Sequence, residues 1–269
     1  VVINATGAWA DNLRTHLGAT PRLRRLRGGH LLFPFHRLPL TRAISVLHPT
    51  DGRPVFAFPW EGVTLIGTTD VDHRQGLDTD PATSPEECEY LMEVVRRAFP
   101  AQELRLDDVQ ATFAGVRAVV DTGKADPSKE SREYVLWNED GLLTVTGGKL
   151  TTFRLMAHDA LKAIRSRLPG RPSFNARARM LEAPPPEGCI EADIHPGACL
   201  RLLGRYGADA PNLTAAALPG ELETAGQSPS LWAELRWAAR SEGVVHLDDL
   251  LLRRVRLGLT LPQGGLPWM

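Results

Sequence analysis

The stretch Tyr134-Val135-Leu136-Trp137, Asn138-Glu139-Asp140-Gly141, Leu142-Leu143-Thr144-Val145-Thr146 ends in two successive glycines, Gly147-Gly148. Two β-forming runs joined by four polar residues that close on Asp-Gly can only pair antiparallel. The glycines then end the second run, and a helical pattern follows from Leu150. Its apolar positions are Phe153, Met156, Ala157, Ala160, Leu161, Ile164 and Leu168, and Pro169-Gly170 stops it. A strand that meets a helix through glycine places unpaired helix amides, and the positive end of the helix dipole, at one spot. Lys149 adds a full positive charge there. Such a spot suits an anion, and a plain strand-turn-helix junction would look the same in sequence.

The same reasoning applies upstream. Val55-Phe56-Ala57-Phe58 and Val63-Thr64-Leu65-Ile66 flank Glu61-Gly62, which predicts a second hairpin, while Leu31-Leu32-Phe33 and Ala111-Thr112-Phe113-Ala114 are further strand candidates. Ser84-Pro85-Glu86-Glu87 has the spacing of a capping box with proline at the first helical position. Leu91, Val94, Val95 and Ala98 give that helix one apolar face before Pro100. The expected fold class is therefore α+β, with a largely antiparallel sheet over residues 1–170. Residues 171–187, rich in Pro and Arg, read as a linker. Residues 188–269 read as a small all-helical cap domain, with helices over Gly197–Tyr206, Ser230–Glu242 and Leu247–Leu257.

Composition removes several classes of function. The net charge is −1, and the Arg22–Arg27 run lacks interleaved aromatics and reads as a solvated face, so no nucleic-acid partner is expected. No apolar run reaches the roughly 18 residues that a membrane span needs. Cys88, Cys189 and Cys199 are scattered, which fits packing cysteines in a reduced compartment and gives neither a disulfide framework nor a metal site. The chain opens in the β-branched run Val1-Val2-Ile3, with no initiator methionine and no signal-peptide pattern. The expectation is a portion of a longer protein.

Other segments can carry chemistry. Ile3-Asn4-Ala5-Thr6-Gly7 is a strand running into small residues, a place for close approach of a ligand or for a packing turn. Arg117, in Gly115-Val116-Arg117, and Arg132, in Ser131-Arg132-Glu133, suit a phosphate or carboxylate, or equally a surface salt bridge. His30 follows Gly28-Gly29 at the start of an apolar run. Gly67-Thr68-Thr69-Asp70 ends a strand in a turn that its own side chains can stabilise.

Their order and spacing resemble the later part of FAD-dependent, respiratory glycerol-3-phosphate dehydrogenases. The matching segments are Ile3–Trp9, Gly28-Gly29-His30, Pro59-Trp60, Ile66–Asp70, Gly115-Val116-Arg117, Ser131–Tyr134 and Gly147–Arg154, with weaker likeness beyond Leu203. The resemblance implies oxidation of sn-glycerol 3-phosphate to dihydroxyacetone phosphate with FAD as hydride acceptor and quinone as the next carrier. It implies a cytoplasmic protein peripheral to the inner face of the membrane. Carried over, Gly148, Lys149, Leu150 and Thr151 face the flavin pyrimidine, and Ala5, Thr6 and Gly7 lie toward the adenosine and phosphate side. Arg117 and Arg132 hold substrate, His30 sits at the reacting carbinol and accepts the proton, and Lys149 stabilises the reduced flavin.

The Gly-rich dinucleotide turn that the family carries upstream is absent here, as is an upstream arginine, so the isolated chain is expected to be inactive. Ala118 stands where the family has proline, and Gly29 where it has a small hydroxyl residue. Alternatives are a glycerophosphate oxidase that uses oxygen, an amine or alcohol oxidase of the same superfamily, and a non-catalytic binding fragment.

Overall fold

The computed structural model describes residues 1–170, 173, 175, 177–180, 190 and 193–268. Most of the linker assigned to 171–187 lies outside the described residues, as does Cys189. The elements are β1 (Val2–Asn4), α1 (Ala10–Thr15), β2 (Leu23–Pro34), β3 (Ile44–Leu47), β4 (Pro54–Trp60), β5 (Val63–Gly67), β6 (Val71–Asp72), α2 (Pro85–Ala98), β7 (Ala111–Val120), β8 (Val135–Glu139), β9 (Leu142–Thr146), α3 (Phe153–Ala163), α4 (Pro196–Tyr206), α5 (Ala210–Ala215), α6 (Trp232–Ser241) and α7 (Leu257–Thr260). The chain is thus α+β with mainly antiparallel strands. It divides into two compact units, 1–30 with 68–87 and 113–178, and 31–67 with 88–112 and 179–269.

In the first unit, β8 and β9 form the expected hairpin. The turn is tighter than the sequence suggests. Asn138 and Glu139 extend the strand, and Asp140 and Gly141 alone make the reversal, with φ of 43° and 87°. Two consecutive residues at positive φ match the strand twist, which is why Asp-Gly sits there. On its other edge β9 pairs with β1 in parallel, Asn4 opposite Thr144. Leu143, Ala160 and Ile164 form the apolar centre between this sheet and α3. Arg14 of α1 is wholly buried, bonded to Asp11 and Glu139 and lying over the Trp137 ring.

The first unit also contains Leu23–His30 of β2. Here Leu26 and Arg27 face Asp72 and Val71 of β6, and Asp121 N donates to Arg22 O. From Leu23 to Arg27 the run is therefore strand, which corrects the solvated-face reading for all but Arg22, which is exposed. Arg24 Nε lies 2.6 Å from Asp72 Oδ1, and Arg27 Nη2 lies 2.6 Å from Glu87 Oε2. Partly buried cations in a sheet are tolerated because each finds a carboxylate. The capping box closes in both directions: Ser84 N donates to Glu87 Oε2 at 2.9 Å, and Glu87 N donates to Ser84 Oγ at 3.3 Å.

In the second unit, β3, β4 and β5 form an antiparallel meander, with Glu61 and Gly62 at positive φ in the β4–β5 turn. Leu31, Phe33, Val55 and Ile66 pack with Leu91, Met92 and Val95 of α2, the face expected from sequence. The helices α4, α5 and α6 bury Leu202, Leu203, Leu213 and Leu231. The expected helix over Leu247–Leu257 is instead a π-helical turn, Asp249–Arg254, followed by α7. Short α5 was missed because it begins on Asp209-Ala210-Pro211, a turn-like opening. Among the described residues, no helix is long and apolar enough to cross a membrane.

Candidate functional site

The adjacent parallel strands β1 and β9 each run, at their carboxyl ends, into a glycine and then a helical turn. Ligand crevices in open sheets form outside such ends. Asn4, fully buried, ties the two ends together: its amide donates to Ala10 O at 2.8 Å and to Thr144 Oγ1 at 3.2 Å, and its Oδ1 accepts from Thr6 Oγ1 at 2.7 Å. Sequence reasoning passed over Asn4. The Asx-type spacing to Thr6 was the available signal. Ala5, Thr6 and Gly7 are exposed on this turn, and Gly7 adopts φ 59°.

After β9, Gly147 and Gly148 both have φ near 75°. A Cβ on Gly147 would lie 2.6 Å from Glu133 O, and one on Gly148 would lie 2.6 Å from Met156 Sδ. Both positions therefore favour glycine for conformation, and Gly147 also for space, because its neighbour is backbone. The helix does not start at Leu150 in α geometry. Leu150–Thr152 is a 3-10 turn, and α3 begins at Phe153. Lys149 N donates to Thr152 Oγ1 at 3.0 Å, so that amide is already bonded within the turn. Leu150 is 88% exposed.

Beside this turn lies a cavity of about 670 Å³ lined by Arg132, Glu133, Tyr134, Leu136, Gly148, Lys149, Thr152 and Asp159. It brings together Gly148, Lys149 and Arg132. Tyr134 and Asp159, not singled out from sequence, bond across its wall, with Tyr134 Oη donating to Asp159 Oδ2 at 2.6 Å. That hydrogen bond, with some burial, raises the Tyr134 phenol above its ordinary pKa and, from the other side, lowers Asp159.

Arg132 reaches from the cavity to Asp70, with Nη2 2.6 Å from Oδ2. Arg117, within β7 rather than at a strand end, places Nε 3.7 Å from Asp70 Oδ1 and donates from Nη2 to Thr69 O at 3.0 Å. His30 stacks on Phe113, with centroids 4.5 Å apart and rings 10° from parallel. Its Nδ1 is buried without a hydrogen-bond partner among the described residues. Burial pushes the imidazole below its ordinary pKa. A hydrogen bond with the Phe113 backbone opposes this, and the Arg117 charge reinforces it. Arg132, Asp70 and Arg117 are thus linked by ion pairs, the Arg117 charge is felt by His30, and Lys149 shares the cavity lining with Arg132. The Ala5–Gly7 turn does not line the cavity and is joined to β9 through Asn4.

Family and structure comparisons place the chain in a cofactor-dependent oxidoreductase class. The profile of the family described as FAD dependent oxidoreductase matches residues 1–154, and the profile of the C-terminal domain of alpha-glycerophosphate oxidase matches 165–269. The chain belongs to the FAD-dependent oxidoreductase family. It is similar to glycerol-3-phosphate dehydrogenase 2 of Mycobacterium tuberculosis, 32% identical over 282 residues, covering 98% of this chain and 47% of the relative. The aerobic glycerol-3-phosphate dehydrogenase of Bacillus subtilis is 37% identical over 170 residues, covering 62% of this chain and 30% of that protein. Among solved structures, the glycerol-3-phosphate dehydrogenase of Bacillus halodurans complexed with FAD superposes with a TM-score of 0.70 at 25% identity, over 97% of this chain and 54% of that one. The chain spans about half the length of the curated relatives it matches.

Proposed function

We propose that these residues form the substrate-facing part of an enzyme that oxidises sn-glycerol 3-phosphate to dihydroxyacetone phosphate with FAD, with quinone as the next electron carrier and attachment peripheral to the cytoplasmic membrane. The observation that carries this reading is the convergence of Arg117 and Arg132, two partly exposed guanidinia, on Asp70, with Arg132 also lining the cavity beside Gly148 and Lys149. Paired guanidinia match the charge and geometry of a phosphate dianion better than those of an amino-acid substrate. The relatives named above are glycerol-3-phosphate dehydrogenases, which adds to the argument.

The glycine turn fits one wall of a flavin. Gly148 lines the cavity with backbone alone, and Lys149 lines it beside Gly148. Gly148, Lys149, Leu150 and Thr151 would hold the pyrimidine side, and Ala5, Thr6 and Gly7 the nucleotide side. When bound, the flavin supplies the hydride acceptor. The chain's residues do the remaining work. Arg132 and Arg117 fix the phosphate and so the carbinol position. His30, held neutral by burial, takes the hydroxyl proton. Lys149 balances negative charge that develops on the cofactor. Residues 1–170 and 188–269 would act as substrate domain and helical cap, joined by 171–187.

The test uses the purified flavoprotein. Its yellow colour should bleach anaerobically on adding glycerol 3-phosphate, and Lys149→Met should slow that bleaching in stopped flow. Persistence of the oxidised spectrum would overturn the substrate, and an unchanged rate in the variant would overturn the role of Lys149.

A further inference from the structure

Asp70 is 4% exposed as a residue, and its carboxylate side chain is 1% exposed. A carboxylate that deep is retained only when cations or donors surround it. Its partners are the two guanidinia proposed above to hold phosphate, one on β7 and one in the loop before β8. They come from β7 and from the connection that follows it, and each remains about one third to two fifths exposed: Arg117 at 34% and Arg132 at 40%. Asp70 is thus the buried side of a three-residue cluster whose outer side is cationic and open to a ligand.

The backbone that carries Asp70 is itself fixed. Thr69, 1% exposed, donates its N–H to Gly29 O at 3.3 Å and accepts the Gly29 N–H on Oγ1 at 2.7 Å. Thr69 Oγ1 in turn donates to Glu87 Oε1 at 2.6 Å. Glycine at residue 28 leaves room for the Arg117 guanidinium against β2: a Cβ there would sit 2.2 Å from Arg117 Nη2 and 2.4 Å from Thr68 Oγ1, so one of these side chains would have to shift. Strand, glycine and hydroxyl network therefore all serve one end, the aim of the two guanidinia.

We infer that Asp70 is a positioning residue that sets Arg117 and Arg132 as a single pre-formed receptor for a phosphate dianion. This rests on the proposed function and deepens it by naming what makes the site select an organic phosphate. Pre-organised guanidinia lose less freedom on binding: Arg132 is hydrogen-bonded to Asp70 at 2.6 Å, and Arg117 pairs with it at 3.7 Å while donating to Thr69 O, so the two present donors to a tetrahedral dianion from fixed positions. Asp70 touches neither substrate nor cofactor in this account. Its effect is felt in binding, through the arginines.

The experiment compares wild type, Asp70→Asn, Asp70→Glu and Gly28→Ala in the purified holoenzyme. Inorganic phosphate is titrated by calorimetry, and KM and kcat for glycerol 3-phosphate are measured alongside the flavin absorbance that reports cofactor retention. Asp70→Asn should weaken phosphate binding and raise KM, each by about tenfold or more, the size of one lost charge-assisted contact. It should leave kcat within about twofold and flavin content unchanged. Asp70→Glu should recover part of the loss, and Gly28→Ala, which displaces Arg117, should copy it. Unchanged phosphate affinity in Asp70→Asn overturns the inference, as does a parallel fall of kcat, flavin content and affinity, which marks a merely structural role. A wild-type enzyme that binds phosphate but does not oxidise glycerol 3-phosphate overturns the substrate reading instead. In that case the phosphate titrations of the variants still decide the role of Asp70.

Discussion

Arg14 Nε and Nη2 lie 2.8 and 2.9 Å from the two carboxylate oxygens of Glu139, and the arginine side chain is wholly excluded from solvent. This bidentate pair ties α1 to β8 across the parallel β1–β9 layer. Removing the cation would strand Asp11 and Glu139. Asp11 keeps the Arg22 and Leu23 amides, and Glu139 is 24% exposed, so both retain some solvation. Arg14→Ala should therefore destabilise by about 3 kcal/mol, the low end for breaking a buried pair. Thermal unfolding should show a melting point lowered by roughly 6–12 °C. Glu139→Gln, which keeps the shape and one acceptor, should do much less. Equal losses in the two variants would refute the pairing as the source.

Gly147 and Gly7 both hold positive φ, but their surroundings differ. A Cβ on Gly147 would meet the Glu133 carbonyl at 2.6 Å, and one on Gly7 would meet nothing within 4 Å. Gly7→Ala should thus show only conformational strain, about 1 kcal/mol. Gly147→Ala adds a backbone clash and should lose about 3 kcal/mol or more, shifting the turn that carries Lys149. Denaturant midpoints of the two variants check this ordering.

The two hairpins and the α2 start were legible because their signals are local. Asp140-Gly141 and Glu61-Gly62 declare the turn, and Ser84 with Glu87 declares the cap. The arginines of β2 were illegible for the opposite reason. Arg24 and Arg27 are satisfied by Asp72 and Glu87, 48 and 60 residues away in sequence. No local pattern separates them from a solvated face. Asp70 posed the same problem: its four-residue motif reads as a turn, and its partners Arg117 and Arg132 arrive from β7 and a later loop. The parallel pairing of β1 with β9 is likewise a contact across the length of the first unit, so the link through Asn4 could not be read from either segment alone.

Glu87 supports several groups at once. It caps α2, accepts from Thr69 Oγ1 at 2.6 Å and pairs with Arg27. Burial pushes its pKa up, but the hydrogen bonds from Arg27, Thr69 and Ser84 and the Arg27 charge outweigh that and hold it below the usual value. A lowered carboxylate pKa stabilises the fold above the unfolded value near 4.5, and that stability disappears as pH falls through the folded pKa. Glu87→Gln should flatten the decline in melting temperature below pH 4.5. Ser84→Ala removes the hydroxyl end of the cap and should lose about 1 kcal/mol at neutral pH.

His30 gives the opposite kind of titration, because it is the cation that burial disfavours. Its pKa is lowered from 6.5 by burial first, with the Arg117 charge adding to the effect and the Phe113 backbone opposing it. The unfolded chain then binds a proton in a window where the folded chain does not. Stability contributed by neutral His30 is full above 6.5 and declines as pH drops from there toward the folded pKa. If His30 accepts the substrate proton, kcat/KM should follow the same group, holding through pH 7 and falling along an acid limb centred below 6.5. His30→Gln should lower kcat by about 100-fold or more and abolish that limb. Phe113→Leu keeps an apolar neighbour but removes the stacked ring, so it should loosen the imidazole and move the limb toward 6.5 with a smaller loss of kcat. A pH profile that keeps its acid limb in His30→Gln would assign the proton acceptor to another group. The measurement is therefore the full profile for wild type and both variants, with flavin content matched across the three.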